Sequence, residues 1–182
     1  MEEFVVHLEK KWSVIEEKVF AEIILKFENN NNFKEINFAD RYIEPFGNYY
    51  GVYVFKVFDK DKFTLENFEN IWKSESKDYN CPRIIRARFS KIVDPKKTNV
   101  LYVGKSEKLF YRIKQHCFDR NESKTYGLKL SNKLQLHDIV SIKYCYFEFK
   151  ELKNIDKNIA QFIITSIEKK LRNYFEPWIG KQ

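Results

Sequence analysis

Cysteine is too scarce in this chain to carry a scaffold. Cys81, Cys117 and Cys145 are odd in number and widely spaced, which excludes a disulfide framework and a CxxC metal site. A reducing, cytoplasmic compartment is the expectation. No window approaches the roughly 18 consecutive apolar residues of a membrane span. The opening Met1-Glu2-Glu3-Phe4 lacks the basic and apolar regions of a secretion signal, so no membrane partner is expected. Internal repeats are absent, and the Asn run at 29–32 is the only low-complexity tract. What is present argues against disorder: 43% hydrophobic and 17% aromatic content suffices for a core. The 182 residues predict one domain, or one domain with an accessory segment.

The net charge of +7 is unevenly spread. Residues 1–48 hold six Lys/Arg against ten Asp/Glu, a balance of −4, which leaves +11 for residues 49–182. A basic domain of this size suits a polyanion such as nucleic acid, and equally suits a merely lysine-rich protein.

Hydrophobic spacing divides the chain into elements. Leu8, Trp12, Ile15, Val19, Ile23 and Phe27 predict a helix over 8–28. Its acidic segment, 1–48, reads as a packing or dimerisation arm. Residues 49–58, dense in β-branched and aromatic side chains, predict a strand. A helix over 64–76 is capped by Thr64 and shows Leu65, Phe68, Ile71 and Trp72 on one face. Residues 83–93 read as a strand with Ile85, Ala87 and Phe89 on one side and Arg86 and Arg88 on the other. That strand is either a solvated basic edge or a finger touching a nucleic-acid backbone through Arg83, Arg86, Arg88 and Lys91.

Val100, Leu101, Tyr102 and Val103 predict the next strand, broken by Gly104, with Ser106 capping a helix. Leu109, Ile113 and Cys117 make that helix's apolar stripe, and Lys105, Arg112 and His116 lie along one border of it, where a phosphate could sit. A polar loop over 119–132 and a short helix over 129–137 precede a strand over 140–149. A helix over 154–175 follows, with a stripe of Ile159, Ile163, Ile167, Leu171 and Tyr174 widened by Ala160 and Ile164, and Pro177 ends it. His7 and His137 have no evident partners and read as structural. The expected fold is α/β (α+β): a small three-stranded, mostly antiparallel sheet flanked by helices.

Together these residues resemble the GIY-YIG endonuclease superfamily. Gly51-Val52-Tyr53 matches the first signature and Tyr102-Val103-Gly104 the second, each on a strand. Arg112 follows Lys105 by seven residues, His116 comes four later, and a final helix carries Glu168 with Leu171 and Pro177 beyond it. The set spans about 51–180. Two departures stand out. The two signature strands are separated by an insertion at 59–97, as in some restriction enzymes of the superfamily. Gly180 stands where many members have Asn. His116 stands where repair nucleases have Tyr, which is similar to the restriction-enzyme branch.

The resemblance implies a nuclease domain over 49–182 that hydrolyses phosphodiester bonds in double-stranded DNA. Glu168 would hold Mg²⁺ (or Mn²⁺), unless it is an ordinary surface carboxylate paired with Arg172. Arg112 would clamp the scissile phosphate, Tyr53 would be the general base with Lys105 or the metal as a nearby cation, and Tyr102 would position water or phosphate. His116 would orient the base or compete with Tyr53 for that role. The short chain and the Arg112/His116 pair favour a type II restriction-like enzyme, whose double-strand cleavage needs a homodimer or two monomers acting in turn. The alternatives are a structure-selective repair or mobile-element nuclease, and a non-catalytic nucleic-acid-binding protein on the same fold.

Overall fold

The ten residues Tyr50–Asp59, apolar or aromatic apart from Gly51, Lys56 and Asp59, form the strand with neighbours on both sides. The computed structural model of the chain describes residues 2–59, 63–76, 81–92, 99–119 and 126–180, without the side chains of 2–13, 15 and 59. In chain order the elements are α1 (Glu2–Glu28), β1 (Tyr50–Asp59), α2 (Leu65–Ser74), β2 (Arg83–Ile84), α3 (Arg86–Phe89) and β3 (Val100–Ser106). They continue with α4 (Leu109–Phe118), α5 (Leu134–Ile139), β4 (Val140–Phe149), α6 (Lys157–Phe175) and β5 (Ile179–Gly180). The fold is α+β, with a three-stranded sheet in the order β3-β1-β4 whose pairs are both antiparallel. Among the described residues no helix is long and apolar enough to cross a membrane.

Strand alternation sends successive side chains of β1 to opposite faces. Tyr53, Phe55 and Val57 join Leu109, Ile113 and Cys117 of α4, Leu136 and Ile139 of α5, and Phe68 and Trp72 of α2. Val52 and Val54 join Ile23, Ile24 and Phe27 of α1 and Ala160, Ile164, Ile167 and Leu171 of α6. The sheet is therefore covered on both faces, which explains why β1 reads as an apolar run interrupted only by Lys56 between Val52 and Phe58. β3 is an edge strand, with α4 packed on one of its faces and α6 on the other.

Several boundaries depart from the sequence pattern. Gly104 does not break its strand: β3 runs through it to Ser106. The next helix begins at Leu109, and Ser106 Oγ accepts the N–H of Lys108 (3.0 Å), closing the approach instead of capping the helix. Residues 83–93 are not one strand. Only Arg83 and Ile84 are extended, and Arg86–Phe89 is a single helical turn that buries Phe89 against Trp178. The alternation of Arg86 and Arg88 with apolar neighbours is thus not a two-faced strand; Val93 and residues 94–97 lie outside the described residues. On α6 the buried stripe is Ala160, Ile164, Ile167 and Leu171, whereas Ile159 and Tyr174 are exposed. That helix starts at Lys157, where Asp156 accepts the N–H groups of Asn158 and Ile159. Thr64 caps α2 as its position predicts, accepting from Asn67 N at 3.1 Å.

The inserted unit returns to the sheet edge. β2 pairs with β5, Ile85 N donates to Trp178 O (2.8 Å), and Trp178 N donates to Val100 O at the start of β3 (3.0 Å). The C-terminal segment thus lies between the insertion and β3, beside the strand that carries Tyr102 and Lys105. All three cysteines are buried and free.

Candidate active site

The two signature tripeptides meet because β1 and β3 are in register. Tyr53 lies opposite Gly104, and Phe55 lies opposite Tyr102. A Cβ on Gly104 would collide with the hydroxyl and ring of Tyr53, and one on Gly51 would collide with the Phe147 carbonyl. Both glycines are therefore required by close approach, not by a turn. Tyr53 and Tyr102 stand on the same face with ring centroids 6.2 Å apart.

At the edge of β3 these tyrosines open onto a cavity of about 340 Å³. It is lined by Tyr53, Tyr102, Lys105, Arg112, Tyr126, Glu168 and Arg172. Five of the six residues expected at a catalytic centre thus converge from β1, β3, α4 and α6. Lys105 Nζ donates to Gln161 Oε1 (3.1 Å), and Gln161 Nε2 donates to Glu107 Oε1 (2.6 Å), which fixes the lysine on the α6 side. Arg112 is held by two bonds, Nη1 to Gln115 Oε1 (3.2 Å) and Nη2 to the Tyr126 carbonyl (2.6 Å). A guanidinium has five N–H donors, so several remain for an anion in the cavity.

Glu168 forms no hydrogen bond or ion pair within 4 Å among the described residues, and Arg172, four residues on, acts on it through space. Burial raises its pKa above 4.5, an effect countered by Arg172 and Lys105. A half-buried carboxylate facing a cavity, with no bonded partner among the described residues, is the donor a hard cation lacks elsewhere in this pocket. Among the described residues no group of three or more His, Cys, Asp or Glu converges. The residues fit an ion that keeps most of its waters and takes a single carboxylate, as Mg²⁺ does, and do not fit an all-protein cage.

His116 sits behind this wall, fully buried, and does not line the cavity. Its Nε2 lies 2.7 Å from Tyr53 Oη, and its Nδ1 accepts the backbone N–H of Leu128 at 3.0 Å. That backbone donor occupies the Nδ1 lone pair, so the ring proton resides on Nε2 and is donated to Tyr53. Burial, and then Arg112, hold the imidazole well below 6.5, hence neutral. His116 therefore orients Tyr53 and has no free lone pair with which to compete as a base. Burial pushes the Tyr53 phenol well above 10, with Tyr102 adding to the rise and Arg112 opposing it.

Of the four basic residues expected to touch DNA, three are exposed and one is half-buried. Arg83 is exposed and close enough to act on Tyr126 at the cavity rim. Arg86 is exposed and pairs with Glu69 at 3.7 Å, and Lys91 is exposed. Arg88 is half-buried, with Nη1 lacking a hydrogen-bond partner. His137 is structural as expected, donating Nε2–H to Leu130 O (2.8 Å); the His7 side chain lies outside the description.

Sequence reasoning missed two cavity residues. Arg172 was legible, since four residues after Glu168 is the same helical face. Gly180 leaves it room: a Cβ there would lie 3.2 Å from Arg172 Nη2, so glycine at this position admits a guanidinium. Tyr126 had no local signal, because its place depends on Leu128 and its neighbours packing behind α4. Comparison with protein-family models, curated proteins and solved structures finds no match.

Proposed function

We propose that this protein is a divalent-metal-dependent DNA endonuclease of the GIY-YIG type, and within that type a sequence-specific, restriction-like enzyme. The observation that carries the reading is the convergence of Tyr53, Tyr102, Lys105, Arg112 and Glu168 on one cavity at the edge of β3. The polyanion expected for the basic part of the chain agrees with it.

In this reading Arg112 takes the non-bridging oxygens of the scissile phosphate with the donors that Gln115 and Tyr126 leave unused, and offsets the charge that grows there. Lys105 supplies a second cation from the other side of β3. Tyr53, as the phenolate, removes a proton from the attacking water; His116 Nε2–H and Arg112 both donate toward that oxygen and favour its charged form. Tyr102 orients the water or phosphate through its hydroxyl. Glu168 would hold Mg²⁺ (or Mn²⁺), which when bound neutralises phosphate charge and assists departure of the 3′ oxygen. Cleavage of both strands requires two such sites, so the enzyme works as a homodimer or by two successive encounters.

Digestion of supercoiled plasmids with Mg²⁺ by wild type and Glu168→Ala tests the reading. Discrete fragments from wild type alone are expected. Nicking or smearing that depends on Glu168 replaces the restriction reading with a repair or mobile-element nuclease. DNA binding without cleavage on several plasmids leaves a binding module and overturns the enzyme.

A further inference from the structure

A second cleft, of about 600 Å³, lies against the outer surface of α4. It is lined by Arg41, Lys108, Tyr111, Lys114, Gln115, Phe118 and Asp119, none of which the proposed chemistry uses except Gln115. Gln115 links the two sites, because its Oε1 accepts from Arg112 Nη1. At about 100° per residue, Gln115 and Arg112 are some 60° apart around the helix, so the cleft begins beside the cavity.

Its groups are complementary to a nucleotide and not merely to an anion. Lys108, Lys114 and Arg41 bring three cations to one opening. Arg41 belongs to the acidic arm, yet it is built toward α4: it has a left-handed backbone (φ 53°), donates to the Phe118 carbonyl and stacks on the Phe118 ring at 5.8 Å. A non-glycine residue keeps that backbone only where its surroundings enforce it. Tyr111 is 58% exposed, an aromatic face at the cleft without a core to pack on. Asp119 Oδ2 is buried without a hydrogen-bond partner. A bare phosphate would satisfy the lysines alone. A phosphate joined to a flat ring bearing N–H donors satisfies the cations, the tyrosine face and the carboxylate together. The volume lies in the range of small-ligand sites.

We propose that this cleft is a nucleotide subsite, holding a DNA nucleotide with its base drawn out of the stack, next to the phosphate cleaved in the first cavity. The inference rests on the nuclease reading. Lys108, Lys114 and Arg41 hold the phosphate, Tyr111 stacks on the base, and Asp119 accepts from a ring N–H or amino group.

Fluorescence anisotropy without divalent metal tests it, using the full chain with a labelled duplex and the same duplex carrying one unpaired nucleotide. Tyr111→Ala is expected to weaken binding to the unpaired-nucleotide duplex by roughly 5- to 150-fold with the salt dependence unchanged. Lys114→Ala should weaken both duplexes and reduce the salt slope by about 1. Both side chains are exposed, and circular dichroism checks that the variants fold. A loss confined to Lys114→Ala reduces the cleft to a backbone contact and overturns the nucleotide assignment. Wild-type binding by a variant carrying both Tyr111→Ala and Lys114→Ala, with Arg112→Ala impaired, removes the subsite and leaves the nuclease reading intact. A wild-type protein that binds neither DNA removes both.

Discussion

Tyr53 is polarised by what lies behind it. The Leu128 N–H fixes the His116 tautomer, His116 donates to the phenol, and burial keeps that phenol protonated at neutral pH. A base of this kind is scarce at pH 7 and gains tenfold per pH unit below its pKa. Cleavage by wild type should therefore rise with a slope near 1 in log kcat/KM across the neutral to mildly alkaline range. Tyr53→Phe should lose about 10²–10⁴-fold and flatten the profile. His116→Leu removes a donor from the phenolate, so its rise moves to higher pH. It also leaves the Leu128 N–H unpaired, at a cost of about 1–3 kcal/mol. Glu168 makes the opposite trade. Its folded pKa is raised above 4.5, so its favourable contribution to stability is complete below that value and is lost as pH rises through the folded pKa. At pH 7 the ionised, half-buried carboxylate burdens the fold. Glu168→Gln should melt about 2–4 °C higher than wild type at pH 7 without metal, corresponding to about 1 kcal/mol, and the gap should close near pH 4. Mg²⁺ should raise the melting temperature of wild type but not of Glu168→Gln. A variant less stable at neutral pH would mean that Glu168 is held by protein partners after all.

At the scale of elements, the site depends on strand register more than on any loop. Tyr53 crosses Gly104 with no space for a methyl group. Gly104→Ala must shift the ring or part the strands, costing about 1–3 kcal/mol of overpacking. Because the displaced atom is the proposed base, cleavage should fall far more than the loss of folded protein explains, with DNA binding retained; cleavage and anisotropy on one preparation check this. The same glycine shows where sequence is legible and where it is not. β1, β4 and α2 could be read from β-branched runs, helical spacing and the Thr64 cap, because those signals are local. Gly104 looked like a strand end because the ring requiring it lies about 50 residues earlier in the chain. Residues 85–89 alternate like a strand, yet Phe89 is buried against Trp178 by a helical turn, and that partner is 89 residues away. Five site residues could be assigned from motif spacing. The burial of His116 and the arrival of Tyr126 depend on the 126–129 segment, whose four residues, Tyr-Gly-Leu-Lys, are too few to show a helical or strand period.

For the whole molecule, composition sets the first 48 residues apart while packing does not. Their acidic balance suggests a separable arm, but Ile23 and Phe27 are completely buried and Ile24 nearly so, on the sheet face that α6 also covers. Tyr174 Oη donates to Glu28 (2.6 Å), and Lys170 pairs with Glu16 (2.5 Å), so α1 is tied along α6 as well. Burying three such side chains contributes about 5–9 kcal/mol. A domain's net stability is about 5–15 kcal/mol, so α1 supplies an amount comparable to the whole margin. Removal of residues 1–29 should therefore abolish a cooperative thermal transition and expose the inner face of α6 and the β1 valines, with aggregation seen by size-exclusion chromatography. The point variant Ile23→Ala should cost about 2–5 kcal/mol while leaving the cavity residues and the metal response in place. If the shortened chain instead melted cooperatively within a few degrees of wild type, α1 would be an appendage as its charge suggests. The catalytic fold would then begin near Tyr49, supported by the sheet and α6 alone.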